Sequence, residues 1–245
     1  KQTNSITVIS EKTEKTKEFI DLATHKTATK AYVNLGEPEL AESIAAKNVD
    51  GVGLLRAEFM IANIGTHPKK FIAEGKSDVF VSKLVEGLEK FTKAFGNRPV
   101  VYRFTDFKSN EYKTLKGGEK YEQDEPNPMI GYRGTGRYLE DPDVFKLEVE
   151  AIKIIRNKTG YKNLHVMFPF VRTVEQLRDV KKLMGSYGLR RSSVFKVWMM
   201  VEIPSNVIML DKFLDEGIDG VYIGSNDLTM LTLGVDRDND RVAKT

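Results

Sequence analysis

The chain has 245 residues, 40% hydrophobic and 30% charged, enough apolar matter for one sizeable core and a length at which α/β barrels run as a single domain. Its 38 basic and 35 acidic residues nearly cancel, which argues against a nucleic-acid or membrane surface, since both need basic residues gathered in a patch. With 0 cysteines, disulfides, thiolate metal sites and cysteine nucleophiles are excluded within these residues, and no apolar run approaches the roughly 20 residues of a membrane helix, in keeping with an expected cytoplasmic location.

Residues 1–30 are rich in Lys, Thr and Glu, with a modest helical stretch over 16–22, and are expected to form a linker or surface arm. The chain opens on Lys1 and ends in a polar run over 236–245, so both ends are expected to be cuts in a longer protein. From Ala31 onward, taken as a domain over 31–245, short apolar runs alternate with helix-period segments. This is the pattern of βα units around a parallel sheet. Six strands are expected, at 31–35, 51–55, 100–104, 164–168, 197–202 and 220–224.

The helices between them carry recognisable ends. Ser77 opens a stripe of Val81, Leu84, Val85, Leu88 and Phe95 that stops at Gly96. Asp141-Pro142 supplies an N-cap and a first-turn proline ahead of Val144, Leu147, Ala151 and Ile154, with Gly160 past the end. Thr173 and Gln176 form a capping box before Leu177, Val180 and Met184. Val207, Leu210 and Leu214 are expected to line one more helix, closed by Gly217. Repeated βα units lead to an open doubly wound sheet or to a closed (β/α)8 TIM-type barrel. Six units do not close a barrel, so in the second case the remaining strands would lie beyond Thr245. The connection between Phe104 and Pro142 is long and weakly periodic; such loops are usually functional or disordered, and this one follows a strand, where α/β proteins place ligands.

Charged residues stand where apolar strands finish. Val197-Trp-Met-Met-Val leads into Glu202, and Gly220-Val-Tyr-Ile-Gly224 into Ser225-Asn226-Asp227. If these strands are neighbours, both carboxylates can converge on one Mg²⁺, which is typically held by one or two carboxylates with substrate oxygens and water. The alternative is that Asp227 caps the following helix and Glu202 pairs with an arginine. Gly51-Val-Gly-Leu-Leu leads into Arg56 and Val100-Val-Tyr into Arg103. Their planar guanidinium groups suit a phosphorylated or carboxylated anion. Arg133, Arg137 and Arg237 could add to such a pocket, although an isolated arginine is more often solvated. His25 falls in the arm, His67 in a turn, and His165 within a strand as a core residue.

Five ordered motifs then carry a resemblance: Gly51-Val-Gly-Leu-Leu-Arg56-Ala-Glu-Phe, Val-Tyr-Arg103-Phe-Thr-Asp-Phe-Lys-Ser-Asn-Glu-Tyr, Asn127-Pro-Met-Ile-Gly-Tyr-Arg133-Gly, Met200-Val-Glu202-Ile-Pro-Ser and Ile-Gly224-Ser-Asn226-Asp227-Leu-Thr. Over roughly Ala31 to Val242 the chain resembles the carboxy-terminal barrel of the PEP-utilising enzymes, and around residues 104–122 it looks like the phosphoenolpyruvate synthase branch of that family. The resemblance implies a phosphotransferase parent converting ATP, pyruvate and water to AMP, PEP and phosphate. Its phosphohistidine and ATP-grasp domains would lie elsewhere in the parent chain. It also implies Mg²⁺ on Glu202 and Asp227, the phosphoryl group on Arg56 and Arg103, and substrate donors from Gly224, Ser225 and Asn226, supported by Arg133 and Arg237. The family's catalytic cysteine would lie on a strand beyond Thr245, so no catalytic residue is expected within this chain, which should bind ligand without net turnover. Homo-oligomerisation through the barrel is a further expectation. The competing readings are a Mg²⁺-dependent aldolase or lyase of the pyruvate type, and a non-catalytic oligomerisation core.

Overall fold

The computed structural model describes residues 28–236 and 239–242. The arm expected over 1–30, save its last three residues, and Arg237 therefore lie outside the described residues. Among those described, six strands form one sheet: β1 (Tyr32–Leu35), β2 (Gly51–Arg56), β3 (Val100–Arg103), β4 (Leu164–Phe168), β5 (Val197–Val201) and β6 (Gly220–Ile223). All neighbours are parallel and the spatial order is the chain order, β1 to β6. A doubly wound sheet would reverse direction at a switch point, whereas this winding never does. The chain therefore has the curled α/β architecture of a TIM-type barrel, six βα units long, with β1 and β6 at its open edges.

Alternation along the strands separates two cores. Val100 and Tyr102 of β3, Val166 and Phe168 of β4, and Val197, Met199 and Val201 of β5 join the large core beneath the helices. Val101, Met167 and Met200, at the intervening positions, form with Leu54 a small second core on the concave side, flanked by Trp198 and Tyr222. By the same parity, Arg103 and Glu202 extend this inner row and emerge at its carboxyl end. Strand β2 breaks the rule. Its register shifts between Val52 and Leu55, so Leu54 packs inside, Leu55 packs outside and Arg56 returns to the inner row. The extra residue of a bulge re-aims the side chains that follow it.

Three short helices come first in the chain, α1 (Ala41–Ala45), α2 (Ala57–Ile64) and α3 (Pro68–Ala73). The long helices α4 (Ser77–Phe95) and α7 (Pro142–Asn157) pack against each other and over the sheet, burying Phe80, Leu84, Leu88 and Phe91 from one and Phe145, Val149 and Ile152 from the other. Ser77 is the first helical residue, not the cap, which is Lys76. Asp141 holds the cap position of α7, but its carboxylate accepts from Tyr132 Oη (2.8 Å) and pairs with Lys69 (2.6 Å) instead of capping. In α8 (Val174–Ser186) Thr173 Oγ1 accepts from Gln176 N (3.2 Å); Gln176 Oε1 accepts from Arg172 N (2.9 Å), so the box closes one residue early. The helix expected to be lined by Val207, Leu210 and Leu214 is two short ones, α9 (Pro204–Ile208) and α10 (Leu210–Asp215), broken at Met209. Val207 and Leu214 are exposed and Phe213 is the buried anchor, because the break rotates the second segment about its axis. No helix among the described residues is long and apolar enough to cross a membrane.

The connection from β3 to α7 is folded throughout. It contains α5 (Ser109–Lys113), a 3-10 turn (Gly118–Lys120) and α6 (Thr135–Glu140). Its anchor is a buried cluster in which Glu122 receives Arg137 through both oxygens (2.7 and 2.9 Å) and His67 Nε2 (2.9 Å). Nδ1 of His67 accepts from Lys69 N (3.1 Å), so Nε2 carries the proton in the neutral ring. Arg137 is thereby committed to the loop and does not reach the cleft at the strand ends, contrary to the sequence expectation.

Candidate functional site

A cleft of about 680 Å³ opens at the carboxyl ends of the strands. Arg56, Arg103, Glu202, Gly224, Ser225, Asn226, Asp227 and Arg133 all line it, so of the described residues expected at the site only Arg137 stays away. Register does this work. Arg56 and Arg103 are direct partners across β2 and β3, and Val201 pairs with Ile223, so Glu202 and Gly224 follow as the next residues of neighbouring strands. Gly224 is needed for the approach: a β-carbon there would fall 2.6 Å from Glu202 Oε2 and 2.7 Å from its Cβ. Ser225, Asn226 and Asp227 then begin α11 (Ser225–Leu233), whose first backbone N–H groups have no intrahelical partner.

The two acids are held differently. Glu202 is fully buried. Its Oε1 accepts from Phe170 N (2.6 Å), while Oε2 is buried with no hydrogen-bond partner among the described residues. Burial, with repulsion from Asp106 and Asp227, pushes its carboxyl up to about 8 against the opposing Arg103 guanidinium and Phe170 N–H. Asn206, itself fully buried, fixes the backbone by accepting from Glu202 N (3.2 Å) and Ile203 N (3.1 Å) and donating to Val171 O (2.7 Å). Asp227 is buried in the first turn of α11 and accepts from Arg133 Nη1 (3.2 Å). The cap position belongs to Gly224, so Asp227 does not cap.

The arginines divide into one free and two engaged. Arg56 is exposed at the mouth, with no hydrogen bond or ion pair among the described residues. Arg103 is largely buried; Nη2 donates to Glu58 Oε1 (2.9 Å), Nη1 meets Met200 Sδ (3.6 Å), and Nε has no partner among the described residues. Burial alone would lower its pKa, but Glu58, Asp106 and Glu202 outweigh burial and keep it charged. Arg133 binds Asp106 with Nε (3.1 Å) and Nη2 (2.6 Å), and donates from Nη1 to Met129 O (3.0 Å) as well as to Asp227. Its donors are spent on the protein, so its visible role is to brace the cleft.

Glu58 and Asp106 were not singled out from sequence, although both fall inside the quoted motifs. Glu58 Oε1 also accepts from Asp106 N (2.7 Å), so one carboxylate ties Arg103 to the loop that carries Asp106. The available signal was an acid two or three positions after each strand-end arginine.

Among the described residues no three His, Asp or Glu side chains form a ready-made metal cage. Magnesium does not need one, since substrate oxygens and water complete its shell. Glu202 and Asp227 fit such an ion. The cleft gathers five carboxylates, Glu58, Asp106, Glu111, Glu202 and Asp227, against the four cationic groups of Arg56, Arg103, Lys108 and Arg133, and Glu202 Oε2 is a buried carboxylate oxygen with no donor among the described residues. A divalent cation would relieve both conditions.

Residues 10–245 match the family described as PEP-utilising enzyme, PEP-binding domain. The chain is 52% identical over 221 residues to the probable phosphoenolpyruvate synthase of Staphylothermus marinus, covering 89% of this chain and 26% of that protein. It is 52% identical over 222 residues to the phosphoenolpyruvate synthase of Aeropyrum pernix, covering 89% of this chain and 27% of that one. The phosphoenolpyruvate synthase of Escherichia coli is 42% identical over 238 residues, 88% of this chain and 30% of that protein. The chain thus spans between a quarter and a third of the length of these relatives.

Proposed function

The chain belongs to the PEP-utilising enzymes through their PEP-binding domain, and on that footing we propose that its cleft binds phosphoenolpyruvate or pyruvate together with Mg²⁺. The carrying observation is the side-by-side pair Arg56 and Arg103 in one cleft with Glu202, whose second oxygen is buried and unpartnered. Arg56, free and exposed, would meet the phosphoryl oxygens first, and Arg103, held by Glu58, would present a fixed second guanidinium. Two such groups offset the charge of a phosphoryl group in transfer and place it, which is electrostatic and positional assistance. Glu202 and Asp227 would hold the metal, which when bound would offset negative charge on the substrate oxygens. Gly224, Ser225 and Asn226, at the start of α11, would supply backbone and side-chain donors to the substrate carboxylate.

In the whole protein this part would serve the synthase reaction, in which ATP, pyruvate and water give AMP, PEP and phosphate through a phosphohistidine on another domain. By itself the chain would bind without net turnover. Calorimetric titration with PEP in the presence of Mg²⁺ tests the reading: binding to the wild type, weakened at least about tenfold by Arg103→Ala, as expected for a charged hydrogen bond to phosphate. Absence of binding, or equal binding by the variant, would remove it. Release of pyruvate from PEP by the chain alone would contradict the second part.

A further inference from the structure

Phe170 is the one residue other than glycine with a positive φ among the described residues, 47°. A bulky side chain in that region is strained and persists only where its surroundings impose it. Phe170 lies two residues past the end of β4, between Pro169 and Val171, and is 2% exposed. Its left-handed backbone turns the N–H onto Glu202 Oε1 at 2.6 Å. Its ring lies 4.1 Å from the Arg133 guanidinium and 4.7 Å from that of Arg172, within range of attraction to the negative face of the ring. Arg133 in turn donates to Asp227.

The surroundings hold this geometry firmly. Gly134, at φ 59°, has no room for a β-carbon, which would fall 2.5 Å from Phe170 Cβ and 3.0 Å from Pro169 O. Thr135 ties the same corner down, donating to Pro169 O from N (3.1 Å) and from Oγ1 (2.7 Å). The glycine-rich run after Arg133 thus brings the loop backbone against the end of β4 and closes Phe170 into its strained turn.

We propose that Phe170 is a positioning residue for the metal-binding pair, setting Glu202 through its backbone N–H and Asp227 through the Arg133 guanidinium that its ring supports. This rests on reading Glu202 and Asp227 as that pair. A residue that merely fills the core would change stability without selecting for the ring's π face, and the two roles separate in one experiment. The full chain is titrated with Mn²⁺ alone, free metal being followed by electron paramagnetic resonance, for the wild type, Phe170→Leu and Phe170→Tyr, with the thermal midpoint of each recorded. Leucine keeps an apolar side chain and the N–H but has no π face, so Mn²⁺ affinity falls about tenfold, while tyrosine restores it to within about twofold of the wild type. If Phe170→Leu binds as the wild type does, or if leucine and tyrosine lose affinity equally, Phe170 does not position the pair. A wild type that binds no Mn²⁺ overturns the metal reading itself and this proposal with it. Should Phe170→Leu fail to melt cooperatively, Phe170→Gly replaces it, since glycine adopts φ 47° without strain and keeps the N–H. Weakened Mn²⁺ binding by that variant supports the ring's role, and unchanged binding overturns it.

Discussion

Glu148 is a carboxylic acid on the buried face of α7, and it illustrates how burial changes a residue's chemistry. Oε2 accepts from Tyr102 Oη (2.7 Å) and from Thr105 N (3.1 Å). Burial pushes its carboxyl up from 4.5 to about 7 even though these two donors favour the ionised form. A raised carboxyl pKa means the folded protein keeps a proton that the unfolded chain releases. Stability attributable to Glu148 is therefore present below about pH 4.5 and declines as pH rises to about 7, by at most about 1.4 kcal/mol per pH unit. Glu148→Gln removes the titration, so denaturant unfolding at pH 5, 6, 7 and 8 should show the variant gaining on the wild type with rising pH and levelling off above 7. Parallel curves would refute the assignment. At the cleft, Glu58→Gln should weaken PEP binding by several fold while leaving Arg103 in place, because a charged hydrogen bond to the guanidinium becomes a neutral one. Titration calorimetry with Mg²⁺ present reads that difference. Arg56, Arg103, Glu202 and Asp227 were legible because each stands at or just past the carboxyl end of an apolar run, where alternation leaves the rim as the place for a charge. Glu58 and Asp106 were not, since an acid a few residues into a loop has the local signature of any solvated residue.

At the scale of the element, caps and apolar stripes located α4, α7 and α8 to within a residue or two, because both signals are local and repeat every turn. The same reasoning misjudged the segment after Glu202. Val207, Leu210 and Leu214 keep helical spacing, but the chain breaks at Met209 and places Phe213 inward. The two arrangements make opposite predictions. Phe213→Ala should cost about 3–5 kcal/mol, as expected for deleting a fully buried ring, while Leu214→Ala should change stability by less than about 1 kcal/mol. Urea unfolding of both variants decides; a larger loss at Leu214 would restore the continuous stripe. The capping hydroxyl of Thr173 is a milder case, and Thr173→Ala should lower stability by about 1 kcal/mol in the same assay.

On the scale of the whole molecule, the curl of the sheet brings its first and last strands within reach of each other across the concave side. Tyr222 Oη of β6 donates to Asn34 Oδ1 of β1 at 3.0 Å, and the Tyr222 ring stands over Gly53 of β2. Strands β2 to β5 have hydrogen-bonded neighbours on both sides, whereas β1 and β6 each have one within the described sheet. Amide hydrogen exchange should therefore be slowest in β2–β5 and fastest in β1 and β6, whose residues, Leu35 apart, are only partly buried or exposed. Tyr222→Phe should speed exchange at β1 and β6 by up to about fivefold, the equivalent of one net hydrogen bond, and leave β3 and β4 unchanged. Uniform acceleration would mean that the contact stabilises the molecule globally and not its edges.

The positions of the strands, their parallel βα rhythm and the charges at their ends were determined by the sequence alone, since chain alternation and turn chemistry act over a few residues. The tertiary structure decided which of those charges meet. Arg133 and Asp227 are 94 positions apart yet hydrogen-bonded, and Arg56 faces inward only because β2 shifts register between Val52 and Leu55. Whether a guanidinium is free, like that of Arg56, or bound, like that of Arg133, depends on partners brought in from other strands. Hydrogen bonding and Coulomb attraction act through space, so that distinction exists only once the sheet has curled.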